Sequence, residues 1–274
     1  AVDYFVSDAI ATPAADAPLF RERLVLLPSR FAYRPLDPVA PSPPAALARG
    51  HVTFGSFNRH AKLSDATLAA WGAVLAAVPG SRLALRAAAY GGEGTADWIR
   101  ERWARRGLPV DRIDLLPWLP WREAQAAYAD VDIALDPFPY NGGATTCDAL
   151  AHGVPVVALA GARPIGRQSA SLLAAAGRPE WVARTTDEYV SLAIALASTA
   201  VAVSAGTLCA IGCWRISSRL SELVRALMLL PIIVPRDVHG ELFKHVRPAA
   251  TLVVVARLMR PSLLVEVEAE ARRG

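Results

Sequence analysis

Asp132-Ile-Ala-Leu-Asp136-Pro-Phe-Pro-Tyr-Asn141-Gly-Gly-Ala-Thr145-Thr146-Cys-Asp148-Ala-Leu is the stretch that decides how the chain folds. An apolar strand ends at Asp136, a loop rich in proline and glycine follows, and Gly142 and Gly143 open a helix whose first turn carries Ala144, Thr145, Thr146 and Asp148. Glycines let a backbone approach a ligand closely, and the unpaired N–H groups of a first helical turn, with the helix dipole behind them, favour negative charge. The layout therefore suits a diphosphate, with the threonine hydroxyls as further donors. The plainer alternative is an ordinary strand–loop–helix connection in which Thr145 caps the helix and Asp148 completes a capping box.

Outward from this stretch, short apolar strands alternate with amphipathic helices. Strands are predicted over 51–57, 82–86, 112–115, 131–135 and 154–159, with a short one at 181–183. The helices predicted between them cover 64–77, 95–106, 121–129, 145–152 and 165–176. Ser64 reads as an N-cap, Leu68, Trp71, Leu75 and Val78 recur at helical spacing, and Pro79-Gly80 stops that helix. Such alternation predicts an α/β fold with a doubly wound parallel sheet, whose ligands bind at the carboxyl ends of the strands. The loops 57–62, 117–121 and 136–146 all fall at such ends. Ahead of this unit, 3–7 reads as a short buried strand, 23–27 as another apolar run, and 33–47 as a proline-rich linker. The expected division is 1–50 for the end of a preceding lobe plus linker, 51–198 for the ligand-binding unit, and 199–274 for an atypical tail.

Of the 274 residues, 53% are hydrophobic and 20% charged, and the net charge of +4 comes from scattered arginines rather than a basic block. Nucleic acid is therefore a poor partner. Three cysteines, Cys147, Cys209 and Cys213, cannot all pair, which points to a reducing, cytoplasmic setting. No zinc set is recognisable around Cys209 and Cys213, and no metal site is expected. There is no Gly-x-Gly-x-x-Gly, Walker loop or Gly-x-Ser-x-Gly, which argues against dinucleotide binding, ATP hydrolysis and serine hydrolysis. The chain begins without methionine or signal peptide and reads as a fragment.

The opening stretch, with Gly153-Val-Pro-Val-Val after it, resembles the C-terminal catalytic lobe of the O-linked N-acetylglucosamine transferases, the OGT/SPINDLY group of glycosyltransferase family 41 in its bacterial form. Phe54-Gly-Ser-Phe57-Asn58-Arg59-His60-Ala61-Lys62 is similar to the family's Phe-Asn-x-x-x-Lys segment, and Gly161-Ala-Arg-Pro-Ile-Gly-Arg167-Gln-Ser-Ala-Ser-Leu-Leu matches the segment after the next strand. The likeness runs in order over 1–198.

The resemblance implies the Rossmann-like donor lobe of a two-lobed GT-B glycosyltransferase. It implies UDP-N-acetylglucosamine as donor, protein serine or threonine hydroxyls as acceptor, inversion at the anomeric carbon, and neither metal nor cofactor. Lys62 takes the role of the catalytic cation on the diphosphate, with Asn58 beside it. Asn141, Gly142, Gly143, Ala144, Thr145 and Thr146 hold or shape the donor site, Ala144 standing where the family has the first of two threonines. Asp148 falls where an acidic residue meets the ribose, and the backbone around Leu119 where the base is held. Ala124 replaces a family histidine that packs on uracil, a loss of about 1–3 kcal/mol on the scale of base–aromatic stacking unless Trp121 stacks instead. His60 invites an acid/base role but reads as a loop histidine.

The missing first lobe and upstream tetratricopeptide repeats would supply acceptor binding, so the chain alone is expected not to turn over. The rivals are UDP-glucose transfer to asparagine within the same family, and a non-catalytic nucleotide-sugar-binding remnant. A membrane-anchored protein rests only on the uncharged run 191–214, long enough for a bilayer but rich in small residues. This run should lack a polar face, and truncation after Ser198 should raise solubility.

Overall fold

The computed structural model describes residues 2–30, 33–35, 37 and 43–215, with side chains as far as residue 201. Two compact units divide between Ser204 and Ala205. The second lies almost wholly outside the described residues, as do the apolar runs 223–234 and 250–259.

The first unit begins with strands β1 (Tyr4–Asp8) and β2 (Arg23–Leu27), which pair in parallel with Tyr4 opposite Arg23. The expectation of a buried first strand holds only at Ser7 and Asp8, since Tyr4 and Val6 are more than half exposed. The pair forms a two-stranded sheet separate from the main one. Phe5 stacks on Phe20 with ring centroids 4.8 Å apart.

Helix α1 (Ala45–Arg49) leads into the main sheet, whose strands are β3 (Thr53–Ser56), β4 (Arg82–Arg86), β5 (Ile113–Leu116), β6 (Ile133–Leu135), β7 (Val156–Leu159) and β8 (Val182–Ala183). The connecting helices are α2 (Asp65–Ala77), α3 (Thr95–Ala104), α4 (Trp121–Ala126), α5 (Ala144–Ala151) and α6 (Gln168–Ala175), and α7 (Thr186–Arg215) closes the described chain. All pairings are parallel, in the order β5-β4-β3-β6-β7-β8. The chain winds outward from β3 to β5, then returns to lay β6 on the other side of β3. The doubly wound sheet is thus as expected, and the reversal opens a crevice between the carboxyl ends of β3 and β6.

Local chemistry explains the elements. Ser64 caps α2, its hydroxyl accepting from the Thr67 N–H at 3.1 Å. Leu68, Trp71, Val74 and Leu75 lie buried along that helix and pack with Phe54, Leu83 and Ile133 of the sheet. The opposite layer gathers Tyr128, Val131, Ala149, Val154, Val156 and Leu173. The buried Asp132 carboxylate accepts from the N–H groups of Ala46 (2.9 Å) and Thr53 (2.8 Å), fastening α1 and β3 to the start of β6.

Helix α7 buries Tyr189, Ala193 and Ala197 at four-residue spacing. The Tyr189 hydroxyl donates to the Asp136 carbonyl at 3.0 Å and accepts from the Trp71 indole at 2.9 Å. Tyr189→Phe leaves both partners buried and unsatisfied, so it is expected to cost about 1–3 kcal/mol, read as a lower urea midpoint. Over the part of the uncharged run whose side chains are described, 191–201, the exposed side includes hydroxyls. Ser198 and Thr199 are exposed, their hydroxyls donating to the Ile194 and Ala195 carbonyls at 3.0 Å each. Residue 198, the expected boundary, falls inside α7. Among the described residues, no helix is long and apolar enough to cross a membrane.

Candidate functional site

At the carboxyl end of β3 the chain turns through Phe57 and Asn58 into a 3-10 turn, His60–Lys62. This brings Lys62 over the loop that leaves β6. Its ammonium donates to the Asn141 carbonyl at 2.8 Å and to Asn58 Oδ1 at 3.2 Å, and sits 4.4 Å from the centroid of the Tyr140 ring. The same Asn58 oxygen accepts from the Thr145 hydroxyl at 3.1 Å. One buried carboxamide thereby joins the two loops across the crevice. Burial pushes the Lys62 ammonium below its ordinary pKa, with Arg59 adding to the fall, while the Asp136 carboxylate opposes it.

The β6–α5 loop is fixed on several sides. The Asn141 amide nitrogen donates to the carbonyls of Pro137 (3.1 Å) and Leu159 (3.3 Å). The Ser64 hydroxyl at the start of α2 donates to the Phe138 carbonyl at 2.7 Å, and Thr67 does so at 2.5 Å. The Phe138–Pro139 peptide is cis. Gly142 donates its N–H to Asp136 Oδ1 at 2.7 Å, which folds the turn back over the strand end.

Thr145 does not cap the helix. The residue before α5 is Gly143, no side chain caps it, and the N–H groups of Gly143, Ala144 and Thr145 meet no acceptor among the described residues. The capping-box alternative is thereby corrected: the Thr145 hydroxyl is drawn to Asn58, 87 residues away. Unpaired N–H groups at a helix start beside an ammonium favour negative charge.

Asp136 lies beneath this turn, 2% exposed, with no hydrogen bond to its Oδ2. Burial raises its pKa from 3.8 to about 7, against the pull of Ser169, the Gly142 N–H, Lys62 and Thr146. The Ser169 and Thr146 hydroxyls are bonded to each other at 2.9 Å, and Oδ2 has no hydrogen-bond partner. Between pH near 4 and about 7 the folded carboxyl keeps a proton that the unfolded chain releases, so its contribution to stability falls as pH rises through that window. The slope approaches about 1.4 kcal/mol per pH unit and vanishes above about pH 7. Asp136→Asn is expected to flatten this segment of a urea-midpoint profile measured from pH 4.5 to 8. A variant profile parallel to that of the unmodified chain would contradict the assignment.

Lys62, Asn58, Asn141, Gly142, Gly143, Ala144 and Thr145 are therefore brought together. Thr146 is adjacent, but it is buried with its hydroxyl on Ser169. One Asp148 carboxylate oxygen accepts from the Tyr33 hydroxyl at 2.6 Å, a linker contact that periodicity does not signal. Leu119 stands on the same edge of the sheet but beyond β5, two strands from β3 and so about 10 Å across. Trp118 and Trp121 beside it are 64% and 39% exposed. His60 turns away from the crevice, its Nδ1 3.2 Å from the Tyr90 hydroxyl and its ring stacked on Trp103, as a loop histidine would. Gln168 and Ser169, within the segment that matches the family, reach the Gly142 carbonyl 26 and 27 residues away, a contact that local spacing does not signal. Among the described residues no three histidine, cysteine or acidic side chains are placed to hold a metal ion.

The model for "Glycosyl transferase family 41" matches residues 44–222. The chain belongs to glycosyl transferase family 41. Among family 41 relatives, the probable UDP-N-acetylglucosamine–peptide N-acetylglucosaminyltransferase SPINDLY of Petunia hybrida is 40% identical over 210 residues, covering 74% of this chain and 22% of that protein. Its namesake from Arabidopsis thaliana is 41% identical over 212 residues, with the same coverage of both chains. This chain thus spans about a fifth of the length of these curated relatives. A mutant form of the Thermobaculum terrenum O-GlcNAc transferase superposes with a TM-score of 0.64 at 38% identity, over 71% of this chain and 37% of that one. The fold is that of the Rossmann-like lobe of a GT-B glycosyltransferase.

Proposed function

We propose that this chain is the donor-binding lobe of a protein O-N-acetylglucosaminyltransferase, residues 51–198 seating the diphosphate of UDP-N-acetylglucosamine. The observation that carries the reading is the meeting, at the sheet's reversal point, of the Lys62 ammonium with the uncapped first turn of α5. Transfer to a serine or threonine hydroxyl breaks the bond between the anomeric carbon and the β-phosphate oxygen, leaving extra negative charge on UDP. A fixed ammonium and unpaired N–H groups stabilise that charge without reorganising. Lys62 is the cation, the N–H groups of Gly143, Ala144 and Thr145 are the donors, and Asn58, Asn141 and Gly142 hold them in place. Thr146 supports the turn from below.

The exposed Trp118 and Trp121 near Leu119 suit the base at the far end of the nucleotide, and the Asp148 carboxylate suits the ribose hydroxyls. On the family's pattern, a first lobe and upstream tetratricopeptide repeats supply the acceptor side, residues 1–50 being the end of that lobe and its linker. The free, buried Cys147 thiol fits a cytoplasmic setting.

Titration calorimetry on the 274-residue chain tests the reading. UDP is expected to bind on the order of a hundredfold more tightly than uridine, from two or so charge-assisted hydrogen bonds to the diphosphate. Equal affinities, or no binding of UDP, would overturn it.

A further inference from the structure

The first 30 residues dock onto the start of α6 through a dense set of contacts. Buried Asp8 accepts from the N–H groups of Ile10, Ala11 and Arg30 and, at 2.6 Å, from the Ser171 hydroxyl. Burial pushes its carboxyl up, but these hydrogen bonds outweigh burial and hold it below the usual carboxylate range. Arg167 pairs with Asp16 and donates to the Ala11 carbonyl at 3.1 Å. Between those contacts lies Gln168, 8% exposed. Its Oε1 accepts from Arg30 Nη2 at 3.1 Å, and its Nε2 donates to the Gly142 carbonyl at 2.8 Å.

We infer that Gln168 is a positioning residue that ties the docking of the N-terminal segment to the shape of the diphosphate turn, an inference that rests on the donor-site reading above for its functional meaning. A carboxamide has one accepting and one donating end. With Arg30 on the first, the second is aimed at Gly142, and Ser169 Oγ supports the same carbonyl at 3.3 Å. Because Gly142 also gives its N–H to Asp136, the peptide groups on both sides of that residue are held, which sets the direction of the N–H groups that follow. The Arg30–Gln168–Gly142 chain of bonds thus carries the docking of the N-terminal segment to the turn.

Three variants of the 274-residue chain decide this: Arg30→Met, Gln168→Leu and Gln168→Glu. Gln168→Glu keeps the acceptor for Arg30 and removes the donor to Gly142, so it loosens the turn while the N-terminal segment stays docked. Amide hydrogen exchange at Gly142, whose N–H is held by Asp136, is expected to quicken by about 3- to 10-fold in each variant, the scale of one hydrogen bond. UDP affinity should fall by a similar factor while uridine affinity holds, and the Arg30→Met/Gln168→Leu pair should lose no more than the worse single variant. Unchanged exchange in Gln168→Glu, or additive losses in the pair, would overturn the inference. If the unmodified chain bound no UDP, the donor reading would fall, and exchange at the turn would still decide the bridge.

Discussion

Lys62→Ala is expected to weaken UDP binding by about 10- to 100-fold, the range of a charge-assisted hydrogen bond in a half-buried site. The side chain contributes little to the core, so the fold should survive, and the loss should appear in calorimetry rather than in a collapse of the urea midpoint. A second signature accompanies it. Lys62 supplies charge that holds down the pKa of buried Asp136, so its removal should move the break in the stability–pH profile upward from about 7. Lys62→Arg is not expected to rescue binding, because a planar fork cannot reproduce the pair of contacts to the Asn141 carbonyl and Asn58 Oδ1. UDP affinity unaltered in Lys62→Ala would remove the lysine from the diphosphate site.

Gly142→Ala is expected to be strongly damaging to the site. A Cβ there would collide with the Thr146 hydroxyl and come within 2.6 Å of Asp136 Oδ1 and 2.8 Å of the Thr145 hydroxyl. Asp136 and Thr146 are buried and cannot swing out, so the turn itself must move. The overpacking is expected to cost about 1–3 kcal/mol of stability and to abolish measurable UDP binding. Gly72→Ala is the matching control. Its Cβ would meet only Leu108 Cγ, at 4.0 Å, inside α2, where alanine is worth about 0.5–1 kcal/mol more than glycine. Thermal melts should therefore move in opposite directions for the two variants, and a Gly142→Ala chain that melts and binds like the unmodified protein would contradict the packing described here.

The alternation of strands and helices was readable because each element carries its own signal. Strand β4 spans the predicted residues, and Ser64 caps α2 as its position before an apolar, helix-spaced run requires. Ends set by the surroundings were less legible. Helix α4 tightens into a 3-10 turn at Ala127, where Tyr128 is buried and its hydroxyl donates to the Thr145 carbonyl. Helix α6 starts at Gln168 instead of Ile165, because Pro164–Gly166 forms a separate 3-10 turn. In the site, residue types and loop positions were visible, but their partners were not. Thr145 looked like a cap because local spacing knows nothing of Asn58, and Asp148 gave no sign of Tyr33, 115 residues away.

The way Lys62 is tethered has a stereochemical consequence. An ammonium carries three protons, and the Asn141 carbonyl and Asn58 Oδ1 each take one. What remains is a charge with one proton outside those two bonds, beside the Tyr140 ring at 4.4 Å from its centroid. A group tethered in this way presents its charge from one fixed direction, which a mobile cation drawn from solution does not. On the donor-site reading proposed above, the position of an oxygen, and not its charge alone, would decide whether it meets that proton.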